Sequence, residues 1–150
     1  MSLEHSPSQI LRQLLIDLAL AGADGEAWPA YATVLPDTPD ACIAVIDTAG
    51  MSRGRFSVGG EYQDNPGIQI IVRSSNFQAS WSKSSAIKSA LSAVHLTAVA
   101  VTDPAEYGTS SVGYVVYNVS LKSGPLPLND PDSERKLVSL NFMATLRQIP

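Results

Sequence analysis

The chain has 150 residues, 45% of them hydrophobic and 16% charged, and a formal net charge of −4 at pH 7. A chain of this length can form one domain with a core large enough to fold without a metal or a disulfide. Its single cysteine and two histidines exclude an internal disulfide and a Cys/His zinc site. The acidic balance argues against a protein that grips nucleic acid by its phosphates. With no apolar run of ~18 residues and no secretion signal, we expect no membrane segment.

The charge is unevenly distributed along the chain. Residues 1–64 carry nine acidic and three basic side chains, whereas residues 65–150 carry five acidic and seven basic ones. Such a chain can meet copies of itself, acidic side to basic side, in a ring. The alternative is that the charges are scattered at random over a solvated surface. Composition alone does not decide between this interpretation and the ring.

The first predicted element is a helix with clear start and stop signals. Ser6, Pro7 and Gln9 form a capping box with proline at the first helical position. Leucines and isoleucines then recur at helical spacing, and Gly22 is expected to end the helix. Residues 23–40, rich in proline and acidic residues, predict a loop.

The segments that follow predict a buried strand, a long loop and a second strand. Residues 41–47 are apolar enough for a strand buried on both faces, with Cys42 as an unreactive thiol inside it. Residues 49–65 are rich in glycine and predict a long flexible loop, of a length that in a compact domain is usually either functional or disordered. Residues 67–74 alternate, with Ile68, Ile70 and Val72 on one face.

A second helix is predicted over about 77–95, capped by Asn76, with a serine-rich exposed face that includes Ser80 and Ser84. Its apolar stripe comprises Lys83, Ile87, Ala90, Leu91 and Val94.

Three more strands are expected towards the end of the chain, over 97–102, 112–122 and 136–147, with a turn at 124–133. On the second, Tyr114, Val116 and Asn118 are expected to share a face; on the third, Phe142 faces the core. The order favours an α+β fold: one domain over 1–150, with two helices packed on one face of a mostly antiparallel sheet.

Residue chemistry points to binding and not to catalysis. His95 is expected at the end of the second helix, where an imidazolium meets the helix dipole favourably. His5 falls in a terminal segment that we expect to be mobile. The pairs Asp37/Asp40 and Asp130/Asp132 sit in proline-bearing turns, where aspartate commonly bonds its own backbone. We therefore expect no catalytic residue, no metal site and no cofactor.

Three segments together resemble a known family. These are LPDTPDACIAVIDTAG at 35–50, NPGIQIIVRS at 65–74 and GPLPLNDPDSERKLVSLNFMATL at 124–146. Their order and spacing are similar to those of the tail-terminator and minor capsid proteins of long-tailed bacteriophages, and the resemblance spans about residues 8–147. The glycine-rich segment after the first strand departs from the family pattern.

The resemblance implies a structural virion protein of the tail–head junction. It implies a homohexameric ring that caps the tail tube, stops its polymerisation and docks to the head-completion or connector protein. DNA would pass through the ring without specific binding, and assembly would occur in the host cytoplasm. One alternative is a head-completion or stopper protein of the neck; another, of a different class, is a small hydrolase or ligand-binding subunit.

The surfaces expected to meet partners are the long loop at 49–65, the polar face of 136–147 and the apolar excess on the first helix. The candidates are Arg53, Arg55, Phe56, Arg73, Arg135, Asn141 and Arg147. An acidic lumen that repels passing DNA is expected from the net charge.

Overall fold

The computed structural model describes residues 3–55, 62–103, 110–128 and 134–150, with side chains described for all of these except 52–55 and 62–64. The described elements are α1 (Pro7–Asp17), β1 (Ala30–Ala32), β2 (Cys42–Arg55), β3 (Tyr62–Ser74), α2 (Phe77–Ser92), β4 (His95–Thr102), β5 (Ser111–Leu128) and β6 (Lys136–Gln148). This is the α+β fold that the sequence predicts.

The strands form one sheet in the order β1-β2-β3-β6-β5-β4. β1 runs parallel to β2, and every other neighbouring pair is antiparallel. α2 packs across β3, β6 and β5, whereas α1 contacts both edge strands, β1 and β4. The sheet therefore curls around α1, and its two edges approach the same helix.

The core lies between the helices and the concave face of the sheet, where the predicted alternation of the central strands is confirmed. Ile68, Ile70 and Val72 are fully buried on β3, and Phe142 on β6 is 2% exposed. Ile68 pairs with Phe142 across the sheet. Because side chains alternate between the two faces of a strand, shifting its pairing by one residue would move these core side chains to the solvent face. The register of β3 against β6 is therefore strongly specified.

α1 begins as predicted and ends early. The side chain of Ser6 accepts the amide hydrogen of Gln9, and the full capping box is present. The helix ends at Asp17, with Ala19 at a φ of 57°, so the predicted end at Gly22 is wrong. Gly22 instead forms a bridge with Pro29 at the entrance to β1, a short edge strand that the loop prediction for 23–40 missed.

α2 is capped by Asn76, as predicted, but its buried face differs. Ser80 and Ser84 are fully buried beside Ile87 and Leu91, so the prediction that these two serines are exposed is wrong. Ser80 Oγ bonds the Lys136 carbonyl at 2.9 Å, and Ser84 Oγ donates to the Ser80 carbonyl at 2.7 Å. Burial is possible because each hydroxyl has a partner.

The segment predicted as a loop over 49–65 is mostly strand. β2 continues to Arg55 and β3 begins at Tyr62, and residues 56–61 lie outside the described residues. The register shifts between Thr48 and Met51. Here a Cβ on Gly50 would lie 2.5 Å from the Asn65 carbonyl oxygen, so glycine is required where the two backbones approach.

β5 is longer than predicted and changes face along its length. It runs through residues 124–128, where a turn was expected; residues 129–133, including Asp130 and Asp132, lie outside the described part. A register shift between Val116 and Asn118 leaves Tyr114, Val116 and Val119 buried and Asn118 exposed. The expectation that Asn118 shares a face with Tyr114 is therefore wrong, because a bulge inverts the alternation.

Candidate functional site

The N-terminal segment carries a buried polar cluster that joins three parts of the chain. His5 is 6% exposed. Its Nδ1 lies 2.7 Å from the hydroxyl oxygen of Tyr114, and its Nε2 lies 2.8 Å from Oδ1 of Asp103. Its backbone N–H also donates to the Tyr114 hydroxyl oxygen, at 3.0 Å. The expectation that His5 is mobile is wrong.

One tautomer of His5 satisfies the whole cluster. With the proton on Nε2, the ring donates to Asp103 and accepts the Tyr114 hydroxyl proton at Nδ1. The bond from His5, followed by one from Ser110, lowers the pKa of the Asp103 carboxyl below its usual value. Burial raises the pKa of the Tyr114 phenol. The cluster is thus a neutral hydroxyl, an imidazole and an ionised carboxylate held in line.

This arrangement has the order of a hydroxyl–histidine–carboxylate set used in nucleophilic catalysis. In such a set, the hydroxyl must reach substrate. The Tyr114 side chain is fully buried, and its oxygen is bonded to both the ring and the backbone of His5. The geometry therefore ties the N-terminal segment to the ends of β4 and β5, and it offers a substrate no path to the phenol.

A cleft of about 330 Å³ opens beside this cluster, between the two edges of the sheet. Its floor is the exposed side of α1. Arg12 lies in this floor, and its Nε donates to the Ala30 carbonyl oxygen at 2.6 Å. The lining residues are His5, Gln9, Arg12 and Gln13 near α1, Tyr31, Ala32 and Val34 from β1 onwards, and Val101, Thr102 and Asp103 from the end of β4.

Two of the predicted interface arginines hold the segment 37–40. Arg73 is 4% exposed, and its guanidinium donates to the carbonyl oxygens of Asp37, Pro39 and Asp40 at 3.3, 2.7 and 3.2 Å. Arg135 bonds the carboxylates of Asp37 and Asp40 at 2.9 and 3.0 Å, where the sequence predicted bonds to their own backbone. A side chain as buried as Arg73 offers a partner little surface, so in the subunit it acts within the fold.

Two further predicted interface residues, Asn141 and Arg147, lie on β6. Asn141 lies on the convex face of the sheet, where its Nδ2 donates to Ser123 Oγ at 3.0 Å. The guanidinium of Arg147 lies 6.0 Å from the Tyr117 ring centre. Arg53 and Arg55 belong to β2, but their side chains, like the whole of Phe56, fall outside what is described.

The other residues weighed for chemistry are placed as follows. Cys42 is fully buried, and burial raises the pKa of its thiol, which favours the unreactive form. His95 is exposed at the start of β4, and not at the end of α2 as predicted. Within the described ranges, no three His, Cys, Asp or Glu side chains group closely enough to bind a metal ion. In the same ranges, no helix has the length and hydropathy needed to cross a membrane.

Sequence reasoning missed the His5 cluster because its partners are distant along the chain. Tyr114 and Asp103 lie 109 and 98 positions away, and no local pattern connects them. A weak signal does exist. His5 directly precedes the capping box, and a helix that begins at a fixed place also fixes the residue before its cap.

A family model described as "Bacteriophage tail terminator protein" matches residues 15–148. This range includes all six strands, α2 and the last turn of α1. No curated protein matches the chain significantly.

Proposed function

Since the chain belongs to the bacteriophage tail terminator family and is therefore a component of the virion tail, we propose that its copies close into a hexameric ring at the end of the tail tube. The ring ends polymerisation of the tube and presents a docking surface to the head-completion or connector protein in the neck. The observation that carries this proposal is the family match over nearly the whole fold.

Ring closure requires two different patches on each subunit, because a head-to-tail contact joins unlike surfaces. The chain supplies chemically distinct halves, with an acidic excess before residue 65 and a basic excess after it. The sheet also has two unlike edges, the short β1 and the longer β4. Both features support a closed heterologous assembly.

The proposed role involves no covalent chemistry. The one described histidine–carboxylate pair adjoins a tyrosine that is fully buried, which supports a structural use of the pair. Passage of DNA through the ring follows from the same role. The net charge of −4 supports a lumen that repels phosphates and does not retain them.

The experiment is a mass measurement of the purified protein, alone and mixed with tail tubes, together with electron microscopy of the tube ends. Six copies at one end of each tube, with no further growth when tube subunits are added, is the expected result. Binding to the head connector but not to tubes would identify a stopper instead. A protein that binds neither would overturn the proposal.

Reversing the charge of Arg53 and Arg55 together tests whether the predicted interface includes this part of β2. Docking to tubes is expected to weaken while the circular dichroism spectrum stays unchanged. A double reversal that docks as well as the wild type would remove both residues from the interface.

A further inference from the structure

We propose that the cleft between β1 and β4 receives an extended segment of an adjacent copy of this chain, which adds as a strand to the open edge of β4. This inference rests on the proposed ring and identifies the contact that closes it. It concerns the backbone edge of β4, a strand that contains none of the interface residues predicted from the sequence.

The hydrogen bonds show which backbone groups of β4 point outward. Asp103 N–H donates to the Ser110 carbonyl at 3.1 Å, one step beyond the Thr102–Ser111 pair. Since bonded and non-bonded pairs alternate along an antiparallel ladder, Ala98, Ala100 and Thr102 direct their N–H and C=O groups away from β5.

The neighbouring strand gives independent support for this alternation. Ala100 pairs with Gly113, and the Gly113 carbonyl accepts a bond from Ile149 N–H at 2.8 Å, on the side of β6. Gly113 therefore does not bond Ala100, and the backbone groups of Ala100 face the open edge.

The edge of β4 lacks the features that normally prevent strand pairing. Proteins protect such edges with lysine, proline, inward charges or a very short strand. The sequence of β4 is HLTAVAVT over eight residues, with no proline and no lysine, arginine or carboxylate. Leu96 is 57% exposed, and Ala98 and Ala100 are exposed. An edge of this kind is suited to pairing with another chain.

The cleft provides contacts for the edge of the incoming strand that does not pair with β4. It is lined by both sheet edges and by α1. In the described part of the chain, the only hydrogen bond of the Arg12 guanidinium is the one from Nε to Ala30. Its two terminal nitrogens are thus available for a carbonyl or carboxylate oxygen of the incoming segment.

A second copy is the occupant that the observations favour. A head-to-tail ring presents the same edge on every subunit, so each unprotected β4 is paired once and none is left open.

The test removes one outward amide. Ala100→Pro deletes the backbone N–H that would donate a hydrogen bond to a carbonyl oxygen of the added strand. Proline is tolerated on an edge strand where its nitrogen faces outward. We expect self-association to weaken about tenfold or more, measured by sedimentation of the full chain with and without tail tubes. Ala100→Thr keeps the amide and is the matched control, expected to associate like the wild type. If the proline variant does not fold, Ala98→Lys places a charge beside the same edge and is expected to weaken association likewise.

Each outcome separates this inference from the proposed function. A ring that forms equally well with Ala100→Pro, or with Ala98→Lys where proline prevents folding, overturns strand addition and leaves the ring standing. A wild-type protein that stays monomeric even on tail tubes overturns both. Hydrogen exchange gives a second measurement, since the Ala98 and Ala100 amides are expected to exchange slowly in the assembled protein and rapidly in the monomer. Rapid exchange in the ring would contradict the inference.

Discussion

Nε2 of His5 lies 2.8 Å from Oδ1 of Asp103, and this contact joins the residue before the N-cap of α1 to the residue after β4. The edge strand β4 is therefore fixed to the N-terminal segment at one end. Glu4 adds to the connection, since its N–H donates to Gln148 Oε1 at 3.0 Å. The ends of three strands, β4, β5 and β6, are thus held by two consecutive residues.

The Asp103 carboxylate predicts a loss of stability in acid. Its pKa is lowered in the folded protein, first by the bond from His5, so the unfolded chain takes up the proton at a higher pH than the folded chain does. The stabilisation is complete above the unfolded pKa of about 4 and is lost as the pH falls through the lower folded value. Asp103→Asn is expected to be less stable than the wild type near pH 7 and to approach it in strong acid.

Urea unfolding at a series of pH values measures this difference. Asp17→Asn is the matched control, because it removes an exposed carboxylate whose partner is Gln13 rather than a histidine. A difference in the free energy of unfolding between wild type and Asp103→Asn that stays constant from neutral pH to strong acid would contradict a stabilising role of the ionised Asp103 carboxylate.

The bond between His5 and Tyr114 predicts an energetic coupling. His5→Ala leaves a buried hydroxyl without its acceptor, and Tyr114→Phe leaves a buried imidazole nitrogen without its donor. Each change is expected to lower the free energy of unfolding by about 1–3 kcal/mol. The double variant is expected to lose less stability than the sum of the losses of the two single variants. Once one partner has been removed, the hydrogen bond is already broken, and removing the other partner does not break it again.

A double-mutant cycle by chemical denaturation at one pH measures this coupling. Tyr117→Phe, on the same strand, serves as the control and is expected to show no coupling to His5→Ala. Additive losses for the His5 and Tyr114 variants would mean that the 2.7 Å contact contributes nothing to stability.

The two arginines that hold residues 37–40 are expected to differ in their contribution to stability. Arg73 is buried and donates to three carbonyl oxygens, so Arg73→Ala is expected to cost about 3 kcal/mol or more. Arg73→Lys recovers only part of that, because an ammonium cannot reproduce the planar fork. The ion pairs of Arg135 are solvent-exposed, and Arg135→Ala is expected to cost less than about 1 kcal/mol.

Thermal and urea unfolding of the three variants check this order. Equal losses for Arg73→Ala and Arg135→Ala would contradict it. A stable Arg135→Ala variant is also the appropriate form for testing whether Arg135 contacts a partner, because its docking can be measured without loss of the fold.

The sequence predicts the parts of this fold whose signals are local. The period-two pattern around Ile70 and Leu140 identifies the two central strands and their buried faces, since one face is apolar throughout. The capping box at Ser6 and the cap at Asn76 locate the start of both helices. Each of these signals lies within about ten residues, and nothing distant overrides it.

The parts that the sequence does not reveal depend on distant partners. Ser80 is buried because the Lys136 carbonyl, 56 positions away, accepts its hydroxyl hydrogen. Asn118 changes face because β5 bulges against β6. The cleft exists because the sheet curls until β1 and β4 meet the same helix, and no residue pattern in either strand records that curvature.

Phe142 tests the assignment of the two faces of β6. Its ring is 2% exposed in the core between helices and sheet, so Phe142→Ala is expected to lower the free energy of unfolding by about 3–5 kcal/mol through lost burial and the cavity left behind. Asn141, the adjacent residue on the convex face, bonds Ser123, and Asn141→Ala is expected to cost about 1 kcal/mol or less. Urea denaturation of both variants gives the comparison. A near-neutral Phe142→Ala beside a costly Asn141→Ala would mean that the strand presents its other face to the core.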